Sequence, residues 1–276
     1  MEKGKQKLIE NQIEEANIIA RVLLQFVLAL NRTELLMNQE QKVEEEKRQE
    51  YEKAIQKIIE GIPMQYITHK QEFYGIPFYV DENVLIPQPD TEILVEEVVS
   101  LAKNQQEDIL DIGTGSGAIG IALASNITSA NITISDISKK ALEIAKKNAI
   151  ENKVIQKIKL VQSNLFENIE GTFSIIVSNP PYIETEIIKE LPKQVQNEPI
   201  LALDGGKDGL TFYRKLVEEA PNYLRQGGYL CMEIGYNQKK AVLELLQNSP
   251  RYQHTYSKKD LSGNDRIIIA QKWDNQ

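Results

Sequence analysis

The fold of this chain is decided by the stretch Ile109, Leu110, Asp111, Ile112, Gly113, Thr114, Gly115, Ser116 and Gly117. Its apolar first half predicts a short buried strand, and a helical pattern over residues 118–124 begins directly after the last glycine. Glycines between a strand and a helix permit a tight turn and bring backbone N–H groups close to a ligand at the helix N-terminus. The stretch therefore predicts a strand, a ligand-binding turn and a helix, which together form the repeating unit of an α/β fold.

Two kinds of ligand suit this turn. Gly115, Gly117 and Gly120 have the spacing GxGxxG, which is typical of dinucleotide sites. Asp111 favours a different ligand, because a carboxylate at that point repels a pyrophosphate but holds a cationic amino group such as that of methionine. Asp136 follows the next predicted strand, at 132–135, where an acidic residue accepts both hydroxyls of a ribose in nicotinamide and adenosyl ligands alike.

A rigid lip is predicted where the apolar run 173–177 ends in Ser178, Asn179, Pro180, Pro181 and Tyr182. Ligands of open α/β sheets bind beyond the carboxyl ends of the strands, which is where this lip falls. The side-chain oxygen of Asn179 and the carbonyl of Pro180 are suited to grip an NH2 group, because proline rings fix the local backbone. A plain strand-ending turn is the alternative, since prolines commonly end strands.

The rest of the C-terminal half alternates strands with helices. A predicted strand at 158–162 leads to Asn164, which can hydrogen-bond an adenine edge, and to Phe166, which would pack near the ring. A polar turn beside a core aromatic is the alternative for these two residues. The alternation over residues 108–250 predicts a mostly parallel sheet with right-handed crossovers, closed by an antiparallel hairpin near the C-terminus.

The N-terminal half has a different texture. Apolar residues recur at helical spacing from Ile9 to Leu23 and again over 39–60, where Gly61 and Pro63 end the pattern. These residues predict a small helical domain that serves packing or partner recognition. From 65 to 89 the chain alternates β-branched and aromatic residues, which predicts a β-hairpin linker.

Composition narrows the functional classes. The 276 residues contain 32 Lys plus Arg against 40 Asp plus Glu, a net charge of -8, which disfavours a broad nucleic-acid surface. One cysteine, Cys231, lies in an apolar run, and the two histidines, His69 and His254, are too few to suggest a metal site. The most hydrophobic segment, 16–30, is too short to span a bilayer and has the wrong flanks for a signal peptide. We expect a cytoplasmic protein without a metal and without a membrane partner.

The order DIGTGSGAI (111–119), DIS (136–138) and NPPY (179–182) resembles the class I S-adenosylmethionine-dependent methyltransferases that act on NH2 groups. Within them the chain resembles the PrmC/HemK family of protein-glutamine methyltransferases, which modify class 1 peptide chain release factors. Further matching stretches are 63–67, 72–75, 85–87 with 91–92, 198–199 with 202–203, and 233–235.

The resemblance implies a Rossmann-like α/β fold with a mostly parallel, seven-stranded sheet. It implies a helical substrate-recognition domain at 1–70, a β-hairpin linker at 71–88 and a methyltransferase domain at 89–276. It further implies a monomer that takes S-adenosyl-L-methionine as cofactor and a class 1 release factor as partner, without direct contact to nucleic acid.

The resemblance also implies the roles of individual residues. Asn179 and the Pro180 carbonyl would hold the NH2 of the glutamine in a GGQ loop, with Tyr182 packing on the amide plane; these three are the expected catalytic residues, and together with Pro181 they bind the substrate. The residues expected to bind the cofactor are Asp111, Gly113, Thr114, Gly115, Gly117, Asp136, Ile137, Asn164, Leu165 and Asn179.

The sequence departs from the family pattern at three positions. Gln88 and Asp90 stand where the family usually has an Arg and a Glu, which puts in question any charge contact made by that arginine. Asn164 stands where an acidic residue is common, so weaker adenine binding is expected.

Three alternatives remain open from the sequence. The lip also suits the amino group of a nucleic-acid base. The glycine turn also suits a nicotinamide-dependent oxidoreductase, although Asp111 and the lip would then have no role. An inactive adapter that binds the methyl donor is the third.

Overall fold

The computed structural model describes residues 1–38, 42–102 and 107–273. Its helices are α1 (Glu2–Glu10), α2 (Ala16–Leu28), α3 (Arg32–Met37), α4 (Glu45–Ile59), α5 (Met64–Thr68), α6 (Glu92–Leu101), α7 (Ala118–Asn126), α8 (Lys139–Glu151), α9 (Lys193–Gln196), α10 (Ile200–Leu203), α11 (Thr211–Glu219) and α12 (Lys239–Gln247). Its strands are β1 (Gln71–Phe73), β2 (Ile76–Phe78), β3 (Glu107–Ile112), β4 (Ala130–Asp136), β5 (Ile158–Gln162), β6 (Phe173–Ser178), β7 (Leu224–Glu233), β8 (Tyr252–Lys259) and β9 (Asp265–Lys272). Short 3-10 turns cover Pro89–Thr91, Ile155–Lys157, Ile187–Glu190 and Ala220–Asn222.

The chain separates into two compact units. The first contains Met1–Lys70 together with Pro192–Asn197, and the second contains the remaining described residues from Gln71 onward. The domain boundaries after residues 70 and 88, and the roles of the three segments that they separate, stay predictions.

The first unit is helical, with Leu8, Leu23, Ile55 and Ile58 buried in its core. The apolar stripe predicted from Ile9 to Leu23 does not lie on one helix. The helical structure is interrupted between the end of α1 at Glu10 and the start of α2 at Ala16. Gln12 and Glu15 adopt left-handed backbone conformations at the break, with φ of 58° and 52°. The predicted helix over 39–60 is α4, which begins at Glu45; residues 39–41 lie outside the described part.

Seven strands of the second unit form one sheet in the order β5-β4-β3-β6-β7-β9-β8. The pairs from β5 to β7 are parallel, and β9 pairs antiparallel with both β7 and β8. The predicted mostly parallel, seven-stranded sheet and its closing hairpin are confirmed.

β3 and β6 each contain consecutive buried apolar residues, at 109–110 and 175–177, because both faces of the sheet are covered. Ile109 and Ile175 belong to the core on the face of α6 and α7. Leu110 and Ile176 belong to the core on the opposite face, with Tyr213 of α11 and other buried side chains. A buried two-sided strand explains why β3 and β6 show no polar alternation.

The sheet order reverses at β3. The chain runs from β3 outward to β4 and β5 and then crosses to β6 on the other side of β3. Ligands of open α/β sheets bind at such a switch point, beyond the carboxyl ends of the strands. Ile112 pairs with Ser178, so the glycine turn after β3 and the lip after β6 leave the sheet side by side.

The small hairpin β1–β2 turns at Tyr74 and Gly75, and its Phe73 and Phe78 join the core of the second unit. The extended pattern predicted from residue 65 is wrong over its first residues, which form α5. The chain turns at Gly61 after α4. Pro63 is the N-cap residue of α5, which begins at Met64. In the described part of the chain, no helix has the length and apolar character needed to cross a membrane.

Candidate active site

A cavity of about 330 Å³ opens at the carboxyl ends of β3, β4, β5 and β6. The predicted site residues that line it are Gly113, Gly115, Asp136, Ile137, Asn164, Leu165, Asn179, Pro180 and Pro181. Asp111, Thr114, Gly117 and Tyr182 are not part of its lining. The two predicted halves of the site, the glycine turn and the lip, therefore share one cavity.

The four glycines after β3 serve two different purposes. Gly113 and Gly115 have φ of 71° and 55°, and a Cβ at either position would meet nothing within 4 Å. Their bare backbone therefore faces open space that a ligand can fill. A Cβ at Gly117 would come 2.8 Å from Ile121 Cδ1, and one at Gly120 would come 2.4 Å from Ile134 Cγ2. Packing of α7 explains these two, so the GxGxxG spacing needs no dinucleotide.

Asp111 fastens the glycine turn to the start of α7. Its Oδ2 accepts hydrogen bonds from Thr114 Oγ1 at 2.6 Å and from the backbone N–H of Gly120 at 3.0 Å. Its Oδ1 has no hydrogen-bond partner among the described residues. Burial raises the pKa of Asp111 to about 7, against the hydrogen bonds from Thr114 and Gly120, which lower it. Asp111 Oδ1 can therefore accept a hydrogen bond from a group outside the described residues, such as a ligand.

Asp136 joins the ends of β3 and β4 at the cavity. Its Oδ2 accepts the backbone N–H of Gly115 at 2.9 Å, and its Oδ1 accepts that of Ser138 at 2.8 Å. Burial raises the pKa of Asp136, and the hydrogen bonds from Ser138 and Gly115 oppose that rise. Each carboxylate oxygen still has lone-pair capacity for a ligand hydroxyl.

The lip is held in place by contacts with neighbouring elements of the fold. Asn179 Nδ2 donates to Thr91 Oγ1 at 3.3 Å, and Pro180 is buried. Tyr182 is partly buried against the core shared with α11, and its carbonyl accepts a hydrogen bond from Gln238 Nε2 at 2.9 Å. Burial raises the pKa of Tyr182 to about 12. Its ring therefore supports the lip as a neutral phenol.

A glycine-rich loop over residues 204–209 packs directly on the lip. A Cβ at Gly205 would come 2.7 Å from Tyr182 Cα, and one at Gly209 would come 2.4 Å from the Tyr182 carbonyl oxygen. Ile183 donates its N–H to Leu203 and accepts that of Gly205. This contact requires glycine because the neighbouring atoms are backbone, which cannot move aside as a side chain can.

Gly205→Ala is therefore expected to displace the lip. We expect the unfolding free energy to fall by about 1–3 kcal/mol, because overpacking forces backbone shifts. We expect kcat to fall about tenfold, because a shift of Asn179 misplaces the reacting group. Thermal unfolding and steady-state kinetics measure the two effects.

Gly228→Ala is the matched control for this prediction. A Cβ at Gly228 would come 2.8 Å from the Ser174 carbonyl oxygen, so it is equally crowded by backbone. Ser174 lies at the opposite end of β6 from the lip. This variant should lose stability while the folded protein keeps its kcat; a Gly205→Ala variant with unchanged kcat would contradict the prediction.

Several residues in and next to the cavity have no role that was predicted from the sequence. Glu198 accepts the backbone N–H of Ile86 at 2.9 Å, and burial raises its pKa to about 7. Cavity-lining residues from these two regions are Val84, Leu85, Pro199, Leu201 and Ala202. The matches at 85–87 and at 198–199 with 202–203 were the available signal, but no local pattern tells that the two stretches meet.

Three further expectations involve individual side chains. Phe166 does not face the cavity: it is buried and stacks on Tyr223 with ring centroids 4.7 Å apart, so the core alternative is the correct one. Asp90, at one departure from the family pattern, pairs with Arg266 at 3.1 Å. Asn164 donates its Nδ2 to Glu167 Oε1 at 2.7 Å, which leaves its oxygen as an acceptor.

The cavity thus combines a backbone cradle, the carboxylate of Asp136 and an amide lip, while the buried carboxyl group of Asp111 is bonded to the turn. Across residues 1–38, 42–102 and 107–273, no group of three or more His, Cys, Asp or Glu side chains is placed to hold a metal ion. The arrangement can bind a ligand with hydroxyl groups beside an NH2 group held at the lip.

Comparisons with known proteins identify the family that the chain is similar to. A release factor glutamine methyltransferase from Fusobacterium nucleatum is 40% identical over 275 residues, covering 98% of this chain and 77% of that protein. One from Clostridium acetobutylicum is 38% identical, covering 91% of this chain and 90% of that protein. The crystal structure of a methyltransferase from Pyrococcus furiosus superposes with a TM-score of 0.55 at 23% identity, covering 72% of this chain and 90% of that one.

The sheet order is that of the class I methyltransferase fold. The family model for the methyltransferase small domain matches residues 88–197, and that for the PrmC N-terminal domain matches residues 1–68. The chain belongs to the family of release factor glutamine methyltransferases. Membership of this family confirms the predicted resemblance and disfavours the nucleic-acid base and oxidoreductase alternatives.

Proposed function

We propose that the protein transfers a methyl group from S-adenosyl-L-methionine to the side-chain amide nitrogen of the glutamine in the GGQ motif of class 1 peptide chain release factors. One observation carries the proposal. The pairing of Ile112 with Ser178 brings the glycine turn and the lip to one cavity, so a methyl donor bound on the turn would face an NH2 group bound at the lip.

The residues present fit this donor. A cavity of about 330 Å³ is within the usual range for small-molecule ligands. The backbone at Gly113 and Gly115 leaves room that a side chain would fill. Asp136 would accept the ribose hydroxyls, Asn164 an adenine donor, and the spare oxygen of Asp111 would attract the ammonium; Thr114, Gly117, Ile137 and Leu165 complete the proposed cofactor-binding set. When bound, the donor supplies an electrophilic methyl group on a positively charged sulfur.

The lip then orients the substrate amide. Asn179 Oδ1 and the Pro180 carbonyl each accept one hydrogen of the glutamine NH2, and Tyr182 supports the amide plane, with Pro181 fixing the backbone between them. An amide nitrogen is a poor nucleophile because its lone pair is delocalised. The two hydrogen bonds that the lip accepts would polarise the nitrogen and orient it toward the donor, so catalysis rests on positioning and electrostatics. The proton leaves after transfer, when the nitrogen has become acidic, and no side chain has to remove it beforehand.

The partner and its setting belong to the same proposal. We infer that the protein meets the release factor in the cytoplasm as a monomer, and that the helical unit contributes to substrate recognition. The net charge of -8 favours a protein partner over nucleic acid.

Transfer of a radioactive methyl group tests the proposal. The protein is incubated with labelled S-adenosyl-L-methionine and a release factor, the same factor with its GGQ glutamine replaced, or nucleic acid. Label on the unmodified factor alone is the expected result. Label on nucleic acid, or on the factor without the glutamine, would overturn the proposal.

Donor affinity is expected to fall as the pH drops through 7. Asp111 has a pKa of about 7, so its carboxyl group is ionised and attracts the donor's ammonium above that pH and is neutral below it. Affinity should decrease by about eightfold between roughly pH 7.5 and pH 6, in proportion to the ionised fraction. Isothermal titration calorimetry measures the change.

Asp111→Asn is the control for the pH dependence. Its amide oxygen can still accept from Thr114 and Gly120, so the turn should stay in place. The variant should bind weakly at both pH values. A pH dependence that persists in the variant would assign it to another group.

A further inference from the structure

A buried carboxylate lies behind the lip. Glu233, the last residue of β7, is 2% exposed, and the pairing of Ser178 with Met232 brings it beside Asn179. Side-chain hydrogen bonding with Thr91 and Asn179 lowers the pKa of its carboxyl group against the effect of burial. Its Oε2 has no hydrogen-bond partner among the described residues. Burying a carboxylate is unfavourable unless its contacts compensate, so packing alone does not explain a glutamate here.

Thr91 supports the same arrangement. It precedes α6 as N-cap residue, yet its side chain makes no capping hydrogen bond to that helix. Its Oγ1 instead accepts from Asn179 Nδ2 at 3.3 Å, and its hydroxyl bonds to the Glu233 carboxylate. The hydroxyl thus serves the lip rather than the helix end.

The chemistry of these groups fixes the orientation of an amide. A carboxylate has acceptors only, so only the NH2 side of Asn179 can face Glu233. Its Nδ2 donates to Thr91 Oγ1 at 3.3 Å, and its interaction with Glu233 can come only from the same NH2 group, which leaves Oδ1 as the group that meets a substrate. The reversed amide would present an NH2 donor to the NH2 of the substrate and lose one hydrogen bond at each end.

We propose that Glu233, together with Thr91, is a positioning residue that holds the Asn179 amide with its oxygen toward the substrate nitrogen. The inference rests on the proposed function, since it concerns the grip on the glutamine amide. Glu233 acts through Asn179 and does not touch the substrate.

The surroundings of Glu233 make this role dependent on pH. Burial raises its pKa to about 7, while the hydrogen bonds from Thr91 and Asn179 and the charge of Arg266 lower it. Arg266 also pairs with Asp260 at 2.9 Å. The titratable and charged groups that face Glu233 are Asp90, Tyr182, Tyr213 and Arg266. Above pH 7 the ionised carboxylate of Glu233 can only accept hydrogen bonds. Below pH 7 the protonated acid can also donate one, so it no longer selects a single orientation of the Asn179 amide.

Glu233→Gln and Thr91→Val test the proposal with little change of shape. The glutamine has both a donor and an acceptor, so it no longer selects one amide orientation. We expect kcat on the release factor to fall about tenfold for Glu233→Gln and about threefold for Thr91→Val, each orientation bond being worth about that factor. The dissociation constant of S-adenosyl-L-methionine should stay within twofold of the wild-type value, since the residues proposed to bind the donor are unchanged.

Two further readouts separate positioning from a structural role. In an Asn179→Ala background neither substitution should lower the residual rate further, because the group they act through is gone. The wild-type kcat should rise with pH toward a plateau above pH 7, and Glu233→Gln should lose this rise. Glu97→Gln is the matched control: Glu97 is also a buried glutamate, bonded to Tyr256 Oη, and its variant should keep kcat within twofold.

The proposal would be overturned if Glu233→Gln lowered kcat by the same factor in the wild-type and Asn179→Ala backgrounds. A Glu233→Gln variant with wild-type kcat would also overturn it. If Glu233→Gln does not fold, the same comparison with Thr91→Val decides. The proposed function fails separately, when the wild-type protein leaves the release factor unlabelled.

Discussion

Asn179→Ala is expected to reduce methyl transfer by about 10²–10³-fold while S-adenosyl-L-methionine still binds with near-normal affinity. The substitution removes the oxygen that accepts a hydrogen of the substrate amide, and loss of one such preorganised group at a reacting centre has an effect of this size. Pro180 still lines the cavity, and its carbonyl, as the second proposed acceptor, would account for the residual rate. Transfer of labelled methyl groups under single turnover measures the rate, and calorimetry measures donor affinity.

Asn131→Ala is the control for a general effect of removing an asparagine. Asn131 lies near the start of β4, where its side chain donates to Asp108 at the end of the sheet remote from the cavity. This variant should transfer methyl groups at the wild-type rate. If Asn179→Ala lost donor binding in the same proportion as transfer, Asn179 would be a cofactor residue and its assignment to the substrate would be wrong.

The sheet and the position of the cavity were predictable because they depend on local patterns. An apolar run of strand length followed by Gly113, or by Asn179 and prolines, marks both a buried strand and its carboxyl end. In a parallel sheet all such ends fall at one edge, so the chemistry of the residues after each strand is enough to place them together.

The support behind the lip was not predictable, because it depends on contacts between distant parts of the chain. Thr91 and Asn179 are 88 residues apart, and Ile86 and Glu198 are 112 apart. The matching stretch 233–235 includes Glu233, but nothing in the sequence shows that this residue lies beside the lip. Only the pairing of β6 with β7 brings the end of that strand beside the lip.

Single aromatic residues and helix breaks were hard to predict for a different reason. Phe166 follows a strand end as a ligand-binding residue would, but the space beside Tyr223 takes its ring into the core. The stripe from Ile9 to Leu23 keeps helical spacing across a break, since left-handed residues such as Gln12 leave no local mark.

Asp136→Ala is expected to weaken S-adenosyl-L-methionine binding by about 10²-fold. Two ribose hydroxyls would lose a charged acceptor, and each such bond contributes about 1.5–3 kcal/mol, part of which water replaces in the variant. The backbone N–H groups of Gly115 and Ser138 would also lose their partner, so the glycine turn would be less well held. Calorimetry with the donor and with S-adenosyl-L-homocysteine measures the loss.

Asp136→Asn separates the two causes. An amide oxygen can still accept from Gly115, which should keep the turn in place. The NH2 of the asparagine replaces the oxygen that accepts from Ser138, and it cannot accept a ribose hydroxyl. We therefore expect an intermediate loss of about tenfold, with kcat at saturating donor close to the wild-type value because the lip is untouched. Asp136→Ala with wild-type donor affinity would contradict the ribose assignment. A variant that binds normally but transfers slowly would instead connect Asp136 to the lip, and the separation of donor and substrate sites between the turn after β3 and the end of β6 would have to be abandoned.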